Sequence, residues 1–150
     1  MKTKLILLSI IMGLPIISFA QFSVITTYDR ADTALQVKFI NKYSTKQVII
    51  RNELQNNDGG SYCEVTYIGH EGGTLSSYRL NYVNENTPTL RYILLKPTQE
   101  ESFVFKLKDM NHTIDLKLVS KIIVHVWVKR TIKGTKYASE INYQKEFLLN

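Results

Sequence analysis

A chain of 150 residues with 19 basic and 13 acidic side chains, 44% of it hydrophobic, is long enough for one domain and too short for two. That length excludes a TIM-type barrel and a doubly wound nucleotide fold carrying a second domain. One cysteine excludes an internal disulfide framework and a cysteine-rich zinc site.

The first twenty residues read as an address. Lys2 and Lys4 precede an apolar run from Leu5 to Ile17, and Ser18-Phe19-Ala20 puts small residues at −3 and −1 before Gln21. That is the layout of a secretory signal peptide cleaved after Ala20. The apolar run falls well short of the roughly 20 residues that a spanning helix needs, and no later stretch is long and apolar enough to cross a membrane. The expected product is residues 21–150, secreted or periplasmic, without a membrane anchor. Loss of Lys2 and Lys4 lowers the formal net charge from +6 to +4.

Beyond residue 20 no helical spacing is sustained, whereas alternation of apolar and polar residues is continuous. Phe22 to Tyr28 is rich in β-branched residues, and Leu35, Val37 and Phe39 alternate with Gln36 and Lys38. Gln47 to Leu54 holds the Val48-Ile49-Ile50 run. Asn56-Asn57-Asp58-Gly59-Gly60 is a turn signal, because those residue types tolerate positive φ. Cys63, Val65 and Tyr67 alternate with Tyr62, Glu64 and Thr66 before a second turn at Gly69 to Gly73. Tyr78, Leu80 and Tyr82 predict the next strand, Asn84 to Pro88 a loop, and Leu90 to Leu95 another strand. Phe103, Phe105 and Leu107 follow, then Ile114, Leu116 and Leu118. The strongest strand is Ile122 to Val128, apolar on both faces and hence central. Tyr137 to Phe147 closes the series after a turn at Gly134.

Strands at this spacing leave no room for crossover helices, so the sheets are antiparallel. Two stacked sheets bury many half-apolar strands economically, and the predicted fold is an all-β, antiparallel, immunoglobulin-like β-sandwich. A small β-barrel is the alternative.

The chemistry-bearing residues are sparse. His70, His112 and His125 are far apart, and none has ligands at metal spacing, so no metal and no cofactor are expected. Cys63 alternates with core residues and reads as an inert buried thiol. The serines lack a nucleophile-elbow context, and Glu100-Glu101 reads as solvated surface. Lysines are more suggestive. Lys129, Arg130, Lys133 and Lys136 concentrate in the last hairpin, where they either meet an anionic partner or protect a sheet edge. Tyr78 and Tyr82 are candidate binding tyrosines on the middle strands. The functional expectation is an exported, non-enzymatic binding module for a protein or glycan partner, with a small inhibitor or immunity protein as one version. Nucleic acid is not expected as a partner. The alternative from another class is a small secreted hydrolase with a His/Cys or His/Ser site.

Overall fold

The computed structural model describes residues 21–50, 60–80, 92–110, 114–135 and 138–149. The expected signal segment, most of the 56–60 turn, the 84–88 loop, Tyr82, His112 and Lys136 lie outside them.

Among the described residues the strands are β1 (Phe22–Asp29), β2 (Ala34–Asn41), β3 (Gln47–Ile50), β4 (Tyr62–Gly69), β5 (Thr74–Leu80), β6 (Tyr92–Leu95), β7 (Glu100–Lys106), β8 (Val119–Ile132) and β9 (Ala138–Leu148). They form two antiparallel sheets. The first runs β1-β2-β7, and the second has β5-β4-β8-β3-β6 with β9 also on β8. The all-β, two-sheet expectation holds, and the second sheet curls into half a barrel.

The second sheet has a simpler plan than its strand list suggests. β9 occupies one edge of β8 from Lys121 to Thr131, so β3 and β4 share the other. Ile49 pairs with Arg130 and Tyr62 with Trp127, which places β3 and β4 end to end along one line. β6 and β5 continue that plan, pairing with β3 and β4 respectively. Ser61 closes the joint. Its N–H donates to the Ile50 carbonyl (2.7 Å), while its buried Oγ accepts from Lys129 N–H (2.9 Å) and donates to Lys129 O (3.2 Å). A side-chain hydroxyl thus supplies the rung that the ladder lacks there. Counted as lines, the chain makes three strands in one sheet and four in the other, an immunoglobulin-like sandwich.

The core lies between the sheets. Phe22, Leu35, Val37, Phe39 and Phe103 project from the first sheet towards Ile49, Cys63, Val65, Tyr67, Ile122, Val124, Val126 and Val128 of the second. The even-numbered residues of β8 from Ile122 to Val128 are fully buried, as the period-two pattern predicts. Burying each such side chain contributes roughly 1.5–3 kcal/mol. Lys145 Nζ donates to Thr26 O (3.2 Å) and Thr26 Oγ1 to Tyr143 Oη (3.3 Å), tying β1 to β9 across the open side.

Two sequence expectations give way to local structure. Ile114, Leu116 and Leu118 alternate like a strand, yet Leu116–Leu118 forms a 3-10 turn. The Asp115 carboxylate accepts from Lys117 N–H (3.0 Å) and its carbonyl from Leu118 N–H (3.0 Å), so a local cap replaces sheet pairing. Leu107, read as a strand residue, opens the short helix α1 (Leu107–Met110) and is buried.

Candidate binding surfaces

On the outer face of the second sheet, Tyr62 on β4 lies beside Trp127 on β8, with Asn142 of β9 next in the row. The Tyr62 and Trp127 rings are parallel to within 3° at a centroid separation of 6.3 Å. His125 stands edge-on to both, at 6.0 and 6.4 Å, and its Nε2 hydrogen-bonds Asn142 Oδ1. In the adjoining row Arg79 places its guanidinium 4.0 Å over the Tyr62 ring. It also donates from Nη2 to Glu64 Oε2 (3.1 Å), and Glu64 Oε1 accepts from Ser77 Oγ (3.0 Å). The protein's single tryptophan therefore sits outside the core, half-buried in a cluster with a half-buried tyrosine and histidine and an exposed arginine.

The second surface is one end of the sandwich, where the loops 42–46, 96–99 and 133–135 meet. Buried Asn41 knits it together. Its Nδ2 donates to the carbonyls of Thr45 (3.0 Å), Leu95 (3.2 Å) and Lys96 (2.9 Å), and its Oδ1 accepts from Tyr43 N–H (3.0 Å). Its backbone N–H donates to Gln99 O (3.0 Å), and Lys133 N–H reaches Lys46 O (3.0 Å). The three loops expose Lys42, Lys46, Lys96 and Lys133 and contain no Asp or Glu. None of the four is in an ion pair among the described residues. Beneath them Arg130 donates to Gln47 Oε1 (2.8 Å) and Tyr43 Oη (3.1 Å), its guanidinium over the rings of Phe22 (5.2 Å) and Tyr43 (5.1 Å). Arg130 Nε is buried without a hydrogen-bond partner among the described residues.

The opposite end carries mixed charge. Arg30, Lys108 and Lys117 stand among Asp32, Glu71, Asp109 and Asp115 in its turns. Asp29 Oδ1 accepts from the N–H groups of Ala31 (2.9 Å) and Asp32 (3.4 Å), an Asx turn. A depression of about 310 Å³ there is lined by Gly69, His70, Thr74, Leu75 and Leu118, both leucines being half exposed. His70 Nε2 lies 3.1 Å from Lys117 O.

The sequence candidates are dispersed by alternation. Lys129 lies on the outer face of β8 opposite Glu140, whereas Arg130 turns inward at the core's end. Lys133 is exposed in the β8–β9 turn, and Tyr78 is 43% exposed on the edge strand β5, opposite core residue Val65. The structure brings Arg130 and Lys133 to the same end. Lys129, next to Arg130 on β8, points to the outer face instead, and Tyr78 lies away on β5. Lys42, Lys46 and Lys96 escape a linear reading because they are divided between two loops about 50 residues apart in sequence.

Cys63 lies in the core, whereas His70 sits in the turn after β4 and His125 on the outer face of β8; His112 lies outside the described residues. Cys63 is fully buried, and desolvation, with the Glu64 charge adding to it, pushes its thiol up to about 12. Among the described residues no group of three His, Cys, Asp or Glu side chains could hold a metal ion.

No protein-family model and no curated protein sequence matches the chain. Among solved structures it is similar to a Bordetella pertussis protein provisionally assigned as ApaA, with a TM-score of 0.48 and 9% identity over 85% of this chain and 94% of that one. It is also similar to a further X-ray structure, a structural-genomics target, with a TM-score of 0.37 and 10% identity over 84% of this chain and 79% of that one. The fold assignment rests on the strand pairing.

Proposed function

We propose that the chain is an exported, non-enzymatic binding module that holds a protein or glycan partner against the outer face of its second sheet. Export is read from the charged start, the Leu5–Ile17 run and the small residues before Gln21. The observation that supports binding is the contact of Trp127, Tyr62 and Arg79 on a sheet face outside the core. Trp, Tyr and Arg are the residues that dominate the energetics of protein interfaces. Their rings and fork of donors also suit the apolar faces and hydroxyls of a sugar. A small secreted inhibitor is a version of the same reading.

The test is retention of a partner by immobilised residues 21–150, offered culture fluid and lysate of the source organism and, in parallel, a glycan array. Trp127→Ala is expected to weaken the retained partner by roughly 30-fold, the scale of a hot-spot residue. Unchanged retention by a variant that unfolds at the same temperature as the parent would sink this assignment.

A further inference from the structure

The basic end makes a second claim, independent of the aromatic face. We propose that it docks onto a bilayer surface rich in anionic phospholipid headgroups.

Three observations lead there. First, Lys42, Lys46, Lys96 and Lys133 come from three separate loops and are exposed, unpaired among the described residues and unaccompanied by any loop carboxylate. Second, these loops are held together by the buried Asn41 amide and the Lys133–Lys46 backbone bond, so the charges are presented on a fixed frame. Ile132, 38% exposed beside Lys133, adds an apolar contact at the same end. Third, the chain enters the fold here, because Gln21 O accepts from Lys42 N–H (2.7 Å). The apolar run Leu5–Ile17 is therefore attached at the lysine-bearing end and not at the mixed one. While residues 1–20 remain attached, a bilayer that receives that run lies on this side of the domain, and this argument rests on the export reading.

The energetics are those of juxtamembrane basic segments. Each lysine near an anionic surface strengthens binding by about fivefold, and the attraction fades within a Debye length, so salt weakens it.

The test uses residues 21–150, which removes any contribution of the apolar run itself; among the described residues the core cluster begins at Phe22, and a cooperative thermal unfolding transition is checked first. Co-sedimentation is measured with vesicles of phosphatidylglycerol mixed with phosphatidylcholine and with vesicles of phosphatidylcholine alone. The expected result is salt-sensitive binding to the first and none to the second. Each of Lys42→Gln, Lys46→Gln, Lys96→Gln and Lys133→Gln should weaken binding about fivefold, and the fourfold variant should abolish it. The double variant Lys108→Gln/Lys117→Gln, at the other end, should leave it unchanged. Equal binding to both vesicles, or none to either at low salt, would overturn the proposal. So would retention on soluble dextran sulfate without vesicle binding, which would give the end to a polyanionic polymer. Trp127→Ala is expected to bind vesicles normally, so failure here and failure of the aromatic-face reading are told apart.

Discussion

At one end of the sandwich the loops 42–46, 96–99 and 133–135 carry four lysines and no acid, while at the other three basic residues are interspersed with Asp32, Glu71, Asp109 and Asp115. The means of ordering the two ends differ as well. Asp29 and Asp115 each fold their own turn through hydrogen bonds to residues two or three positions away. Asn41 instead joins loops more than 50 residues apart in sequence. Local caps can be exchanged one turn at a time. A shared buried amide ties the 42–46 and 96–99 loops to a single side chain, and the Lys133–Lys46 backbone bond adds the third loop to that frame.

The largest effect that would sharpen this contrast is loss of the shared amide. Asn41→Ala orphans several buried backbone groups and should cost roughly 3–4 kcal/mol, lowering the melting temperature by about 10 °C or more. Asp115→Ala at the other end removes one cap and should cost about 1 kcal/mol. Thermal unfolding of the two variants side by side reads the difference directly, and equal losses would break the comparison.

A smaller effect concerns alkaline pH. Tyr67, towards the mixed-charge end, is fully buried with its hydroxyl unpartnered among the described residues. Burial, with Tyr28 and Tyr78 nearby, pushes it up from 10.0 to about 12. Cys63 rises from 9.0 to about 12 in the same way. Both groups are held neutral by the fold, so their contribution is fully present below pH 9 and is lost as the pH climbs from about 9 towards 12, where the unfolded chain ionises first. Chemical denaturation across that range should show stability falling, less steeply in Cys63→Val and in Tyr67→Phe. At neutral pH Tyr67→Phe should be neutral or stabilising by up to about 1 kcal/mol, since it removes an orphaned hydroxyl.

The smallest effect treats both ends alike. Among the described residues each has one non-glycine residue at positive φ, Thr33 at 50° and Thr98 at 61°. Thr33→Gly and Thr98→Gly should each relieve strain of about 1 kcal/mol, partly offset by the added freedom of the unfolded chain. Melting temperatures that move by a degree or two at most would fit. A drop of many degrees in either would show that the threonine side chain, and not the backbone angle, is what matters there.

How far all this was legible in the sequence depends on the range of the interaction. The middle of β8 could be read, because burial of Ile122, Val124, Val126 and Val128 follows from alternation alone, while its extension to Val119 and Ile132 could not. The Ile114–Leu118 segment could not, since Asp115 offers its backbone a local alternative that periodicity does not register. Lys129 and Arg130 look like one cluster in sequence and are separated by the same alternation that revealed the strand. Lys42, Lys96 and Lys133 look unrelated and come to one end only through Asn41, which joins the first two loops, and the Lys133–Lys46 backbone bond, which adds the third. Trp127 and His125 could be placed on one face from their spacing. That Tyr62 and Arg79 would join them depended on a register that no local pattern specifies.

β8 also has a temporal meaning. It pairs with β3, β4 and β9, yet only β9 follows it along the chain. Until Val119–Ile132 emerges, β3 and β4 lack their common neighbour, and the β4–β5 hairpin has no sheet to join. Assembly governed by such distant pairings is slow. Under the export reading proposed above, a chain that has to thread a translocation channel unfolded would gain from that delay, because its central strand is among the last parts to be made.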